Sequence, residues 1–241
     1  MIVSFSGIDS AGKTTQIDLL YRYCKEHHIS IKKVWSKARG TPGVMFVKEL
    51  VRKDRHMDTS GKAEYRAEVF ANPKKKRLLL IASLLDLLWY WGLYYRLLTL
   101  FYKVVLFDRY IWDSLVEMKQ DFEGIDFENW FLWKLVKFVA PNPKHSFLFV
   151  IPSEVSVARD IAKNDPTIED IELKRAKIDR YLALRDEGKW NHVIDGLRTI
   201  EEIHEEIKAR PFFYLINRDS ILSIIVSIVI FMLKPKSDST C

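Results

Sequence analysis

The chain opens with an apolar run, Ile2–Phe5, that leads directly into Gly7-Ile-Asp-Ser-Ala-Gly12-Lys13-Thr14. Every fixed position of the pattern G-x-x-x-x-G-K-S/T is filled. A strand ending at Ser6 and a helix beginning near Lys13 suit that spacing. The two glycines let the backbone curl around an anion without Cβ clashes. Successive N–H groups, with the helix N-terminus behind them, then face the anion. Lys13 neutralises β- and γ-phosphates, and the Thr14 hydroxyl offers a ligand to Mg2+. Gly7, Ser10, Ala11, Gly12, Lys13, Thr14 and Thr15 are therefore the expected ATP-binding residues.

The rest of the chain repeats the strand-then-helix alternation. Strand-like runs recur at Ile2–Ser6, Ile31–Ser36, Val104–Phe107, Ser146–Ile151 and His192–Ile194. Helix-like runs cover Gln16–Glu26, Gly43–Lys53, Leu78–Leu98, Phe127–Val139, Ile168–Arg185 and Ile200–Ala209. That order predicts an α/β fold, a mostly parallel sheet with helices on both faces. No internal repeat and no low-complexity linker divides it. Pro141-Asn-Pro143 is too short to be more than a loop.

Charge and cysteines narrow the setting. With 241 residues the chain is long enough for a sizeable core, and a formal net charge of +6 favours anionic partners. Nucleotides, nucleic acid and an acidic membrane face all qualify; the opening loop selects a nucleotide, and no nucleic acid is expected. Cys24 and Cys241 build neither a disulfide framework nor a metal site, and Cys24 is expected in the core. Met1–Ser6 reads as a strand and not as a secretory leader, so the expected location is cytoplasmic. The polar stretch 54–77 ends in Lys74-Lys75-Lys76-Arg77. It reads either as a solvated loop with a basic helix start or as a patch for phosphate or lipid headgroups.

"GIDSAGKTTQ" followed much later by "VVLFDRY" resembles the thymidylate kinase family. "RGTPG" (residues 39–43) with "VKELV" (47–51) is similar to that family's G-T-P-x-G loop and following helix. "FLFVIPSEVSVARDIAKND" is similar to its strand, helix and lid, and "IEDIELKRAKIDRYLAL" to the helix after the lid. "VIDGLRTIEEIHEEI" is similar to its closing strand and helix. The resemblance spans about residues 2–209. It implies a P-loop three-layer sandwich, a five-stranded mostly parallel sheet with helices on both faces and a lid. It also implies transfer of the ATP γ-phosphoryl to a nucleoside monophosphate in the presence of Mg2+, and a homodimer. The domain is expected to cover residues 1–210, leaving 211–241 as a separate hydrophobic tail.

That chemistry asks for positioning and positive charge, not for a covalent nucleophile. As the resemblance implies, Arg109 clamps the acceptor phosphate and Tyr110 lies beside it. Asp108 stands near Mg2+ or the acceptor, and Asp9 beside the acceptor sugar and phosphate. Arg39 and Lys48 are candidates for the acceptor phosphate, with Lys48 where the family usually has Arg. The opening loop carries no Arg between its glycines, and the family variant of that kind takes its transition-state cation from the lid region. Arg159 is the first candidate and Lys163, four residues on, the second.

The base-reading positions depart from the family. Where its third helix has an Arg, the nearest polar residue here is Asp86, and Glu117 and Met118 replace a Tyr-Gln pair. A carboxylate in place of a guanidinium reverses donor and acceptor roles. The expected acceptor therefore carries a donor, an amino base or a sugar hydroxyl, and differs from dTMP. Two other readings stand beside the kinase: an ATPase with water as acceptor, and a non-catalytic nucleotide binder associated with a membrane.

Two apolar stretches raise the membrane question. Leu78–Tyr102 contains Asp86 and Arg96, and a span there would separate the opening loop from Asp108-Arg109, so it is expected to be a core helix that also packs a partner subunit. Trp89, Tyr90, Trp91, Tyr94 and Tyr95 are then core and dimer contacts. In the tail, Ile221–Leu233 is uncharged and is followed by Lys234 and Lys236. As a helix its 13 residues reach roughly 20 Å, short of a bilayer core. It reads as a membrane-associated tail, or as a helix or strand covering an apolar groove.

Overall fold

A computed structural model describes residues 1–36, 70–164 and 169–210. The helix expected at 43–53, Arg39, Lys48, the tail 211–241 and residues 165–168 of the lid region lie outside these.

Five parallel strands make the sheet: β1 (Ile2–Gly7), β2 (Ile31–Trp35), β3 (Val104–Asp108), β4 (His145–Val150) and β5 (His192–Asp195), in the order β2-β3-β1-β4-β5. All five coincide with the runs expected from sequence to within a residue or two. The strands at the centre are apolar almost throughout, as a sheet covered on both faces requires. Phe5, Phe107 and Phe147 are fully buried, and Phe5 stacks on Phe147 at 5.4 Å between ring centres.

The helices are α1 (Lys13–Glu26), α2 (Pro73–Trp89) continuing through a π-helical turn (Tyr90–Tyr94) into α3 (Tyr95–Phe101), α4 (Ile111–Asp121), α5 (Phe131–Val139), α6 (Ser153–Ala162), α7 (Ile171–Asp186) and α8 (Ile200–Lys208). The long rod 73–101 is the expected 78–98 helix, extended at its start because Asn72 caps it and Pro73 fits the first turn. It is the one described helix long and apolar enough to cross a membrane, yet it is built into the domain. Leu80, Leu84 and Trp91 are fully buried, and Trp91 packs against Phe107 at 5.0 Å and edge-on to Tyr110 at 4.6 Å. Tyr95 is buried too, while Trp89 stands 61% exposed. Trp91→Ala is expected to cost about 3–5 kcal/mol, read as a lower urea midpoint with an unchanged slope. Little change would mean that Trp91 is not a core residue. Cys24 is core as expected, and burial pushes its thiol up to about 12, which leaves it inert.

The sheet's register sets the site. In a parallel sheet all strand ends of one kind lie along one edge. Gly7, Trp35 and Asp108 close β1, β2 and β3 at the edge where α1 starts. Lys103, Lys144 and Met1 mark the opposite edge.

Candidate active site

β1 ends in Gly7 at φ +133°, where an added Cβ would lie 2.4 Å from the Phe149 carbonyl oxygen. Gly12 follows at φ +97° and is the N-cap of α1. No side chain caps that helix and no acid sits in its first turn, so its leading N–H groups are left for an anion. Lys13 Nζ folds back over the loop and donates to the carbonyl oxygens of Gly7 (2.9 Å) and Ile8 (2.6 Å). Burial, and after it the charge of Arg109, pulls the Lys13 ammonium down to about 8.

Around this loop opens a cavity of about 420 Å³, lined by residues 9–15, Trp35, Asp108, Arg109 and Lys163. Thr14 Oγ1 donates to Asp108 Oδ2 at 3.3 Å. A hydroxyl and a carboxylate at that spacing fit Mg2+, a hard cation that takes few protein oxygens and completes its shell with water and phosphate. No group of three or more His, Cys, Asp or Glu side chains able to hold a metal ion occurs among the described residues.

Arg109, at φ +77°, turns its guanidinium back under the loop. One Nη bonds Asp9, and the other lies 3.6 Å from Glu117 Oε1 and 3.9 Å from Asp113 Oδ1. Burial alone would lower its pKa. The nearby Tyr181, Asp9, Glu117 and Asp113 outweigh that and raise it, so the charge is permanent. Asp113, almost wholly buried, is the fixed point of the group. It accepts from Ser6 Oγ (2.6 Å), Gly7 N (3.2 Å), Tyr110 N (2.7 Å) and Tyr181 Oη (2.7 Å). An Asn there would turn donors against donors. Asp113→Asn is expected to lose about 2–4 kcal/mol in urea denaturation, and an unchanged midpoint would contradict its role. Glu117 is also buried, and its Oε2 has no hydrogen-bond partner among the described residues.

A second network docks α6 and α7 on the loop. Lys174, buried, pairs with Asp160 and donates to Ser156 Oγ at 2.6 Å; Ser156 donates to the Asp9 carbonyl, and Ser10 Oγ bonds Asp160. Arg159 donates to the backbone oxygens of Ser10 (3.2 Å) and Gly196 (3.1 Å), whereas Lys163 Nζ reaches Ser10 Oγ (3.1 Å) at the cavity itself. The structure thus brings together Asp9, Ser10, Ala11, Gly12, Lys13, Thr14, Thr15, Asp108 and Arg109, with Gly7 beneath them. Tyr110 faces elsewhere. Its side chain is buried, the hydroxyl bonds Pro141 O at 2.6 Å, and burial pushes it above the range of an ordinary phenol. Asp86 sits half-buried on α2 beside Tyr90, outside the cavity lining.

Sequence reasoning missed Trp35, the Asp113 hub and the Asp160–Lys174 pair. For Asp113 a signal existed: it lies four residues after Arg109 at the start of a helix. For the other pair none did, because its members lie fourteen residues apart on separate helices.

Comparison with known proteins gives a consistent picture. The thymidylate kinase family model matches residues 5–207. A thymidylate kinase of Sulfurihydrogenibium sp. is 32% identical over 210 residues, covering 85% of this chain and 93% of the relative. A probable thymidylate kinase of Pyrococcus abyssi is 29% identical over 214 residues, covering 86% and 93%. A thymidylate kinase of Fervidobacterium nodosum is 29% identical over 211 residues, covering 86% and 96%.

Proposed function

This chain belongs to the thymidylate kinase family, and we propose that it transfers the γ-phosphoryl group of ATP to a nucleoside monophosphate other than dTMP. The observation that carries the reading is the convergence on one cavity of a phosphate loop, a Thr14–Asp108 oxygen pair and a buried Arg109. Family membership supports phosphoryl transfer between nucleotides. The choice of acceptor rests on this chain's own residues.

In this account the loop N–H groups and Lys13 hold the donor's phosphates. Lys13 exchanges its two carbonyl partners for phosphate oxygens, which restores its full charge where negative charge collects. Thr14 and Asp108 are placed to hold Mg2+, which supplies neutralisation of the β- and γ-oxygens when bound. Arg109 trades Asp9 for the acceptor phosphate and brings it in line, while Asp113 and Glu117 keep the guanidinium from following the ligand out. Lys163 adds a cation at the mouth. Arg39 and Lys48 are assigned supporting contacts to phosphate, Arg159 is assigned to bracing the loop through the Ser10 and Gly196 carbonyls, and Tyr110 is given a structural role.

Glu117 supports an acceptor with a hydrogen-bond donor. It is a buried carboxylate 3.6 Å from Arg109, just outside the cavity lining, and its Oε2 has no hydrogen-bond partner among the described residues. Such an oxygen gains from any hydrogen-bond donor, and dTMP carries donors too in its 3′-hydroxyl and thymine N3–H, so the choice of another acceptor rests on Asp86, Glu117 and Met118 standing at the family's base-reading positions. Thymidylate kinase is the printed name of the relatives, so dTMP is the reference acceptor. The test is Mg·ATP-dependent ADP release with dTMP, UMP, CMP, AMP and GMP, their deoxy forms and the free nucleosides at equal concentration. A ribonucleotide or amino-base monophosphate is expected to exceed dTMP. If dTMP were the best acceptor, the assignment would fall.

The homodimer belongs with this reading. Leu78, Leu85 and Trp89 stand exposed along one side of α2, the side available to a second copy.

A further inference from the structure

We propose that the edge of the sheet opposite the phosphate cavity is a docking surface for an anionic lipid bilayer. The strands β2, β3 and β4 begin at this edge. The backbone ties it together: the Met1 ammonium donates to Lys103 O, Lys144 N donates to Ile2 O, and Val104 N donates to Ser30 O. Arg96 fastens the end of α5 to α3 by donating twice to Val139 O, at 3.1 and 2.7 Å.

Three large apolar side chains stand out from it. Leu100 is 77% exposed, Phe101 74% and Phe138 83%. Isolated exposed apolar residues are ordinary, but these sit at the two helix ends that Arg96 joins.

The charge next to them is positive. The stretches that lead into β2, β3 and β4 at this edge, 28–32, 96–104 and 134–145, contain six Lys or Arg and no Asp or Glu, while Glu26 at the end of α1 and Asp186 and Glu187 ahead of β5 flank them. Lys32, Lys103, Lys137 and Lys144 are all exposed. Lys33 pairs with Asp18 of α1 at 2.5 Å. The part of the edge that carries Leu100, Phe101 and Phe138 is therefore complementary to an anionic surface, with the acids confined to its flanks. A second copy fits it poorly, because a two-fold interface would set lysines against lysines. Apolar and aromatic side chains ringed by lysines match a membrane interface, where the former enter the headgroup boundary and the latter meet acidic lipid.

The chain also leaves the described structure nearby. α8 runs alongside α1, with Lys208 Nζ 5.6 Å from the Tyr23 ring in the last turns of α1. Ten residues separate Arg210 from the uncharged run Ile221–Leu233. Docking by this edge turns the cavity toward solvent, so nucleotides can enter and leave.

The test uses the full-length chain with vesicles of phosphatidylcholine alone and of phosphatidylcholine and phosphatidylserine in equal parts, read by co-sedimentation. The wild type is expected to bind the mixed vesicles far better, and to be released by salt. Reversing two lysines (Lys103→Glu with Lys144→Glu) should weaken binding at least about tenfold, at roughly fivefold per charge near an acidic surface. Leu100→Ser with Phe138→Ser should weaken it too. Both variants should keep the wild-type thermal transition and ADP release, since all four positions are exposed and distant from the cavity. Three results would each overturn the proposal. The wild type could ignore acidic vesicles. The charge-reversed variant could bind as the wild type does, which would assign binding to the tail alone. Or the apolar variant could lose self-association with vesicle binding intact, which would assign the edge to a second copy.

Discussion

Replacing Lys13 by alanine is expected to lower acceptor-dependent ADP release by a factor of about a thousand or more, with the fold intact. The reason is local. Lys13 is the cation held directly over the loop, and its two partners are carbonyl oxygens of the loop itself. When phosphate arrives, the ammonium needs only a small movement to reach it, so little reorganisation is required as charge develops. Its depressed pKa adds a signature that a structural lysine would lack. Between about pH 8 and the unfolded value of 10.5 the unfolded chain holds the extra proton, so the ligand-free protein gains stability from this group as pH rises through that window. Phosphate binding restores the proton. Nucleotide binding above pH 8 should therefore take up a proton and weaken with rising pH, as titration calorimetry in buffers of different ionisation heat would read. Lys13→Met should abolish the uptake. A nucleotide bound equally well by the variant, with no change in proton uptake, would remove Lys13 from the site.

Arg109→Ala carries the second large effect, and it falls on activity and stability together. Activity is expected to drop about a hundred- to ten-thousandfold, because the acceptor phosphate loses its clamp. Stability is expected to fall by about 3–5 kcal/mol, since Asp113 and Glu117 stay buried without their cation. In a domain of this size that is a fall in melting temperature of roughly 10 °C. Arg109→Lys separates the two effects. A lysine keeps the charge among the carboxylates but loses the planar fork, so most of the stability should return while most of the activity does not. If Arg109→Lys were fully active, a bidentate clamp would be the wrong description. If Arg109→Ala melted like the wild type, the carboxylates would not depend on it.

Much of this was legible in the sequence, and the reasons are specific. The phosphate loop was legible because its chemistry is local: two glycines, a lysine and a threonine at fixed offsets must all meet one anion. The strands were legible because a sheet covered on both faces needs continuous apolar runs bounded by polar turns. Helices α4 and α6 were absent from the helical runs. α4 carries an apolar stripe of Ile111, Leu115, Met118 and Phe122, but it follows Asp-Arg-Tyr without a glycine or proline break and also buries Asp113, Ser114 and Glu117; α6 buries Ser153, Ser156 and Asp160 on its inner side, so only the family resemblance pointed to it. Tyr110 shows the limit of reading by position. The resemblance put Tyr110 beside Arg109 at the acceptor, but the left-handed turn at Arg109 sends the two side chains to different places. The choice between Arg159 and Lys163 likewise needed coordinates, because one turn of helix decides which cation meets backbone oxygens and which meets the cavity.

On the proposed reading the γ-phosphoryl group goes to a nucleoside monophosphate held by Arg109. The most direct measurement follows the label from γ-labelled ATP, with Mg2+ and the preferred acceptor, in the wild type and in Lys13→Ala. The label is expected in the nucleoside diphosphate, with little in inorganic phosphate, and the variant is expected to show neither. Label released only as inorganic phosphate, at a rate no acceptor changes, would contradict it and leave an ATPase in its place.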